Sequence, residues 1–167
     1  DVERSRGLGD VYKRQTLNRA YSLTGPCTDG ERRSYTIAVR HQKGRLPNGD
    51  PFEGLVSAHL HRTLREGQCI EVQAPSGTFL IPVKSAQPLI FLAGGIGITP
   101  FLSQLESMND GDETEIWLYY GNQHGGTHAF KHRLKYHAQR LPNLRVRNHY
   151  AAPVSYTHLT LPTTPYV

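Results

Sequence analysis

The strongest constraint on this chain is a junction. The apolar run Leu89-Ile90-Phe91-Leu92-Ala93 passes into Gly94-Gly95-Ile96-Gly97-Ile98-Thr99-Pro100, and that into the apolar stripe Phe101, Leu102, Leu105 and Met108. Strand, glycine turn and amphipathic helix in direct succession read as a βα unit. The run has the continuity expected of a strand buried on both faces of a parallel sheet. Thr99 is placed to cap the helix and Pro100 to occupy its first turn. Glycines there let backbone approach a phosphate, and the helix start adds free N–H groups and a partial positive charge of about half a unit. Pro100 holds the last position, so the string is not G-x-G-x-x-G, and its setting carries more weight than its letters. A tight turn without a ligand is the plain alternative.

The same grammar continues downstream. An acidic loop over 109–115 leads to a second strand, Ile116-Trp117-Leu118-Tyr119-Tyr120. A helix over about 127–140 buries Phe130, Leu134 and Leu141 and stops at Pro142, and Leu144-Arg145-Val146 begins a third strand. This β-α-β-α-β order is half of a doubly wound nucleotide fold.

Upstream the pattern differs. From Arg19 to Ile81 the apolar spacing is short and alternating, as in Ala20-Tyr21-Ser22-Leu23 and Tyr35-Thr36-Ile37-Ala38-Val39, with Gly and Pro between segments. Short strands punctuated by turns predict a small antiparallel β-barrel of Greek-key type. One helix interrupts it over 55–65, with Val56, Leu60 and Leu64 on one face and Gly67 as a stop. The expected division is therefore a barrel domain over 16–85 and an α/β domain over 86–152, with the boundary near 83–88.

Both ends are expected to be foreign to the fold. Residues 5–15 resemble one reading frame of a transposase sequencing adapter, and 154–164 resemble the reverse complement of its terminal repeat. Segments 1–15 and 153–167 are therefore set aside, and the rest reads as an internal fragment, lacking activity by itself. The whole chain has 167 residues, Lys+Arg 19, Asp+Glu 14 and two cysteines. Excluding the ends takes away four basic and three acidic residues, so the balance stays mildly positive. Such a charge permits nucleic acid without demanding it. Cys27 and Cys69 cannot build a disulfide scaffold or a four-thiolate cluster. No apolar run approaches the ~20 residues of a membrane span, and a cytoplasmic protein is expected.

A second constellation lies upstream of the glycine turn. Arg19 and Tyr21 share one side of a strand, and Ser22 follows on the other. Arg can grip a phosphate through two N–H groups, Tyr can cover an aromatic ring and Ser can hydrogen-bond a ring nitrogen. Gly54-Leu55-Val56-Ser57 opens the barrel's helix and is a further candidate anion site, with simple N-capping as its alternative.

Taken in order, these segments resemble the ferredoxin-NADP reductase-like superfamily of flavin oxidoreductases. Arg19-Ala20-Tyr21-Ser22 is similar to its R-x-Y-S flavin motif, and Thr36-Ile37-Ala38-Val39-Arg40 to the next flavin-contacting strand. Gly54-Leu55-Val56-Ser57 is similar to the G-x-x-S phosphate loop, Ala74-Pro75-Ser76-Gly77-Thr78-Phe79 to the P-x-G-x-F corner, and Gly94 to Pro100 to the nicotinamide-nucleotide motif. The resemblance implies that a reduced nicotinamide passes hydride to a flavin, which then releases single electrons to an iron-sulfur or haem acceptor. It implies cofactor contacts at Arg19, Tyr21, Ser22, Val39, Gly54, Val56, Ser57, Gly94, Gly95, Gly97, Thr99 and Pro100. Tyr21, Ser22 and Thr99 would stand nearest the reacting groups. FAD or FMN is implied, with NAD(P)H as substrate. Gly121-Asn122-Gln123, where relatives often carry Arg, favours NADH, although Arg133 could compensate.

The implied partner is a redox protein or a fused iron-sulfur domain, with no nucleic acid and no membrane span. The two cysteines lack two-iron spacing, so any such cluster belongs to sequence outside this chain. A non-catalytic flavin- or nucleotide-binding electron-relay subunit on the same fold is the alternative. His124, His128 and His132 recur every four residues without an intervening Glu, and read as a solvated helix face rather than a metal site. Trp117, Tyr119 and Tyr120 read as strand and core residues.

Overall fold

The computed structural model describes residues 17–26, 34–82 and 85–152, so the adapter-like segments and Cys27 lie outside the described residues. The chain divides into two compact units. One combines the residues up to Ser22 with Val39–Pro75, and the other combines Leu23–Ala38 with the chain from Ser76 onward.

The second unit is built on a three-stranded parallel sheet in the order β3-β4-β5, with β3 Leu89–Gly94, β4 Ile116–Asn122 and β5 Leu144–Tyr150. Its register pairs Phe91 with Leu118 and Leu118 with Val146. Helix α2, Thr99–Ser107, links the first pair of strands, and α3, Lys131–Arg140, links the second. Parallel strands need such crossovers, and a shared hand puts both helices on the same face. Period-two alternation then selects the core. Ile116, Leu118 and Tyr120 of β4 and Phe91 of β3 point inward against Ile98, Leu102, Leu105 and Met108 around the first crossover and Leu134 and Leu141 around the second. The apolar stripes expected on both helices are present.

The opposite face corrects one expectation. β3 is buried on one face only, since Ile90 is 67% and Leu92 71% exposed. Both crossover helices cover the same side, so a run that is apolar in sequence is half solvated. Boundaries also move. The third strand extends to Tyr150, and α3 begins at Lys131 because a 3₁₀ turn, Gly125–Thr127, comes first. In that turn the Thr127 hydroxyl donates to the His124 carbonyl and accepts the His124 N–H, while Phe130 takes a left-handed φ of 58°.

The antiparallel barrel is not closed among the described residues. The first unit contains the hairpin β1 Lys43–Arg45 and β2 Pro51–Glu53, then helix α1, Leu55–Thr63. Its turn uses Gly49 at φ +89°, where a Cβ would be strained. Two segments expected as strands, 20–23 and 35–39, meet in a single antiparallel bridge, Leu23 with Ile37, within the second unit. Residues 64–82 form no described strand, and Ile70 and Val72 are 50% and 72% exposed. A strand exists only through a partner at ~4.8 Å, so an alternating pattern alone yields extended backbone without a ladder. On α1 the best buried residues are Ser57 and Ala58, while Val56, Leu60 and Leu64 are only half-buried.

Among the described residues no helix is long and apolar enough to cross a membrane.

Candidate functional site

The glycine turn sits at the carboxyl end of β3, where parallel sheets place ligands. Gly94 keeps extended dihedrals, Gly95 turns to a left-handed φ of 51°, and Gly95–Ile98 form one 3₁₀ turn that runs straight into α2. Thr99 is therefore inside the helix, 7% exposed, with helical φ −55° and ψ −44°. This corrects the expected capping role. A side-chain N-cap needs an extended residue before the helix, and here the preceding Ile98 is already helical and donates no side-chain cap. Pro100 does occupy the first turn. A Cβ built at Gly94 or Gly97 would meet nothing within 4 Å, so the outer side of the turn is open space. That is the shape required for close approach of a ligand to backbone.

Beneath the turn stands a residue that sequence reasoning took only as core. Tyr120 is 0% exposed, and its hydroxyl donates to the Gly95 carbonyl at 2.8 Å and reaches the Ala129 carbonyl at 3.3 Å. Burial pushes this phenol above its ordinary range. His128 packs edge-on to Tyr120 with ring centroids 5.0 Å apart, and its Nδ1 shares a 2.7 Å hydrogen bond with the Tyr150 hydroxyl. Burial, with nearby Lys131, holds the His128 imidazolium below its usual range. The three histidines do not share a helix face. His124 precedes the 3₁₀ turn, His128 is half-buried beside Tyr150, and only His132 lies on α3.

A second unforeseen cluster joins the two helices. Glu106 of α2 accepts hydrogen bonds from Arg133 Nε at 3.0 Å and, at 3.0 Å, from His137 Nε2, whose ring is 2% exposed. Burial raises the Glu106 carboxyl, but the bonds from His137 and Arg133 and their charges outweigh it and hold it below the usual value of 4.5. Arg140 donates to the Leu105 carbonyl at 2.8 Å, which also accepts the Met108 N–H at 3.4 Å, and so ties α3 to the end of α2. The readable signal was the spacing of Arg133, His137 and Arg140 beside the apolar stripe. Arg133 is thus engaged with Glu106 rather than free to meet a 2'-phosphate. Asn122 is 6% exposed, so in Gly121-Asn122-Gln123 only Gln123 presents an exposed side chain.

In the first unit, Arg19 is exposed and donates to the Asn18 carbonyl at 2.8 Å, Tyr21 is half-buried and Ser22 is exposed. Gly54 precedes α1 without any side-chain cap, and the first turn of that helix holds no acidic residue. Its leading N–H groups therefore lack a carboxylate or hydroxyl competitor from the cap position. A Cβ at Gly54 would come within 2.8 Å of Ser57 Oγ. The Ser57 hydroxyl is 8% exposed as a residue, donates to the Gly54 carbonyl at 3.0 Å and accepts the Gln42 N–H at 3.2 Å. It shapes the loop rather than standing free toward an anion. The Val39 carbonyl bonds His61 Nε2 at 2.7 Å, and His61 stacks on His41, which meets Glu53 together with Arg62. The Arg19–Ser22 and Gly54–Ser57 sets belong to one unit and the glycine turn to the other.

Residues 91–158 match the oxidoreductase NAD-binding domain family. Over 156 residues, 93% of this chain, it is 31% identical to a flavohemoprotein of Bacillus cereus, and over 83% it is 33% identical to one of Rhodopirellula baltica. With these relatives and its motifs together, the chain is similar to the ferredoxin-NADP reductase-like superfamily of flavin oxidoreductases. It spans about a third of the length of the curated relatives it matches, 34% and 33% of these two. Its fold is similar to the FAD/NAD-binding domain of a nitric oxide dioxygenase from Vibrio cholerae, with a TM-score of 0.67, 20% identity and coverage of 89% of this chain and 60% of that one. It is also similar to ferredoxin-NADP+ reductase from Plasmodium falciparum, with a TM-score of 0.63, 18% identity and coverage of 87% and 58%.

Proposed function

We propose that this chain carries the flavin- and nicotinamide-nucleotide-binding elements of an NAD(P)H-dependent flavin oxidoreductase, with a flavin-binding domain over 16–85 and a nucleotide-binding domain over 86–152. The observation that carries this reading is the open-sided glycine turn between β3 and α2, in a chain similar along nearly its whole length to flavohemoproteins. When bound, the flavin accepts hydride from the reduced nicotinamide and hands electrons on singly, and haem fits the relatives' name better than an iron-sulfur centre.

The chain's own residues divide the work of binding and orientation. Arg19 offers a guanidinium to flavin phosphate, and the uncapped N–H groups after Gly54, including that of Val56, add a second anion contact. Tyr21 offers a flat ring to stack on the flavin, Ser22 a hydroxyl donor at the ring edge, and Val39 a backbone contact beside it. Gly94, Gly95 and Gly97 let the nucleotide's phosphates approach backbone, while Thr99 and Pro100 fix the direction of α2. Hydride transfer requires donor and acceptor atoms about 3 to 3.5 Å apart, so the task of these residues is placement rather than acid-base chemistry. FAD and NADH are the proposed cofactor and substrate.

The test is spectroscopic. The protein purified with its full flanking sequence is expected to be yellow and to bleach rapidly on addition of NADH, with ferricyanide then reduced catalytically. A colourless protein indifferent to flavin would refute the reading. A yellow protein that NADH fails to bleach would instead identify an electron-relay subunit.

A further inference from the structure

We propose that Tyr120 is a positioning residue for nucleotide binding: its buried hydroxyl is a catch that fixes the Gly95 carbonyl and with it the amide orientation of the glycine turn. The inference rests on the nucleotide-binding reading above and adds to it a residue that touches no ligand.

The argument begins with the chemistry of the turn. Gly94 and Gly95 have no Cβ, so the peptides around them can rotate at little steric cost, and a glycine pair by itself samples several backbone conformers. A binding turn that is competent for only part of the time binds more weakly in proportion to that fraction. Something must therefore select one conformer. The peptide joining Gly95 to Ile96 is planar and trans, which ties the direction of the Gly95 carbonyl to the opposite direction of the Ile96 N–H. Holding the oxygen holds the donor.

Tyr120 does the holding. It alternates inward on β4 with Ile116 and Leu118, all at 0% exposure, and its ring has no freedom to leave. From there the hydroxyl meets the Gly95 carbonyl at 2.8 Å. Ile96 N–H consequently points away from Tyr120, out of the core. The Ala129 carbonyl, 3.3 Å from the same hydroxyl, ties the approach to α3 into the arrangement. His128, edge-on at 5.0 Å, buttresses the ring. One proton thus couples the turn after β3 to the segment before α3, and both carbonyls lie in the second unit.

The decisive variant is Tyr120→Phe, which keeps the ring and its packing and removes only the hydroxyl. In the flavin-loaded full-length protein, NADH affinity is expected to fall about fivefold to tenfold, the effect of one neutral hydrogen bond on a two-conformer turn. KM should rise by the same factor while kcat at saturating NADH stays within about twofold, because the catch acts before chemistry. Without nucleotide, amide hydrogen exchange at Gly95–Ile98 should quicken several-fold, with exchange in the middle of α2 and α3 unchanged. General loosening of the core would instead raise exchange along both helices, and would overturn the proposal. So would a Tyr120→Phe protein with wild-type affinity and wild-type exchange at the turn. If Tyr120→Phe does not fold, 3-fluorotyrosine at position 120 provides the check. It keeps the hydroxyl and makes it a stronger donor, so turn exchange should slow, and faster exchange would refute the catch. Failure of the unaltered protein to bind NADH would sink the nucleotide reading alone, since the exchange measurement does not use the nucleotide.

Discussion

The two units of this chain handle the same kind of sequence pattern differently. In the unit built on β3, β4 and β5, the apolar positions on the helix-covered face of the sheet pack against the two crossover helices, and Ile98, Leu102, Leu105, Ile116, Leu118 and Tyr120 are completely buried. In the unit containing the β1–β2 hairpin, alternation is as clear in sequence, yet the paired backbone is limited to three residues on each strand among the described residues. The difference is one of range. A βα unit closes its core over ~30 residues, whereas a barrel needs every strand to find partners on both sides before any ladder is complete.

The largest effect should come from the buried core of the sheet unit. Leu118→Ala removes a 0%-exposed side chain and is expected to cost about 2–5 kcal/mol, measured by denaturant unfolding. Val72→Ala, at a residue 72% exposed, should stay within about 0.5 kcal/mol. Equal costs would abolish the contrast between the two regions. Next in size is the cofactor test that separates them. Arg19→Ala should weaken flavin binding by about 1.5–3 kcal/mol, as for a charge-assisted contact, without altering the nucleotide turn. Gly97→Val should do the reverse. The space beside Gly97 is open and its φ is unstrained, so the fold should tolerate the branched side chain while it blocks the nucleotide's approach, raising the KM for NADH with flavin retained. Normal KM in that variant would remove Gly97 from the site.

A smaller effect concerns acid. Glu106 and His128 are both held below their ordinary pKa values in the folded state, so each binds protons more readily when the chain unfolds. Their contribution is complete above the unfolded values and fades as pH falls, first below about 6.5 for His128 and then below about 4.5 for Glu106. Thermal melts from pH 8 to pH 4 should show the sheet unit losing stability in those two windows. Glu106→Gln should flatten the lower one, and an unchanged acid limb would show that the Glu106–Arg133–His137 cluster is not what the melt reports. Tyr120 acts with the opposite sign, since its raised value means that stability is lost as pH climbs through the phenol range.

Much of the sheet unit could be read from residues alone. Leu102, Leu105 and Met108, and then Leu134 and Leu141, announced two amphipathic helices, and their core positions follow from helical spacing. Exposure of Ile90 and Leu92 could not be read, because an apolar run does not say on which side the crossover helices will lie. The same holds for Thr99. Its type suits a cap, but the dihedrals of Gly95–Ile98 had already started the helix.

By itself, then, the amino-acid order determined the strands and crossover helices of the sheet unit and the place of the glycine turn, since these depend on local periodicity and on motifs spaced along the chain. Only the tertiary structure decided which tyrosine would stand under that turn, which glutamate would gather Arg133 and His137, and which face of β3 would stay open. The first two of those outcomes are contacts between residues 25 to 31 positions apart. A hydrogen bond forms between atoms brought within ~3 Å, and no single-chain pattern encodes that distance before the helices have crossed the sheet.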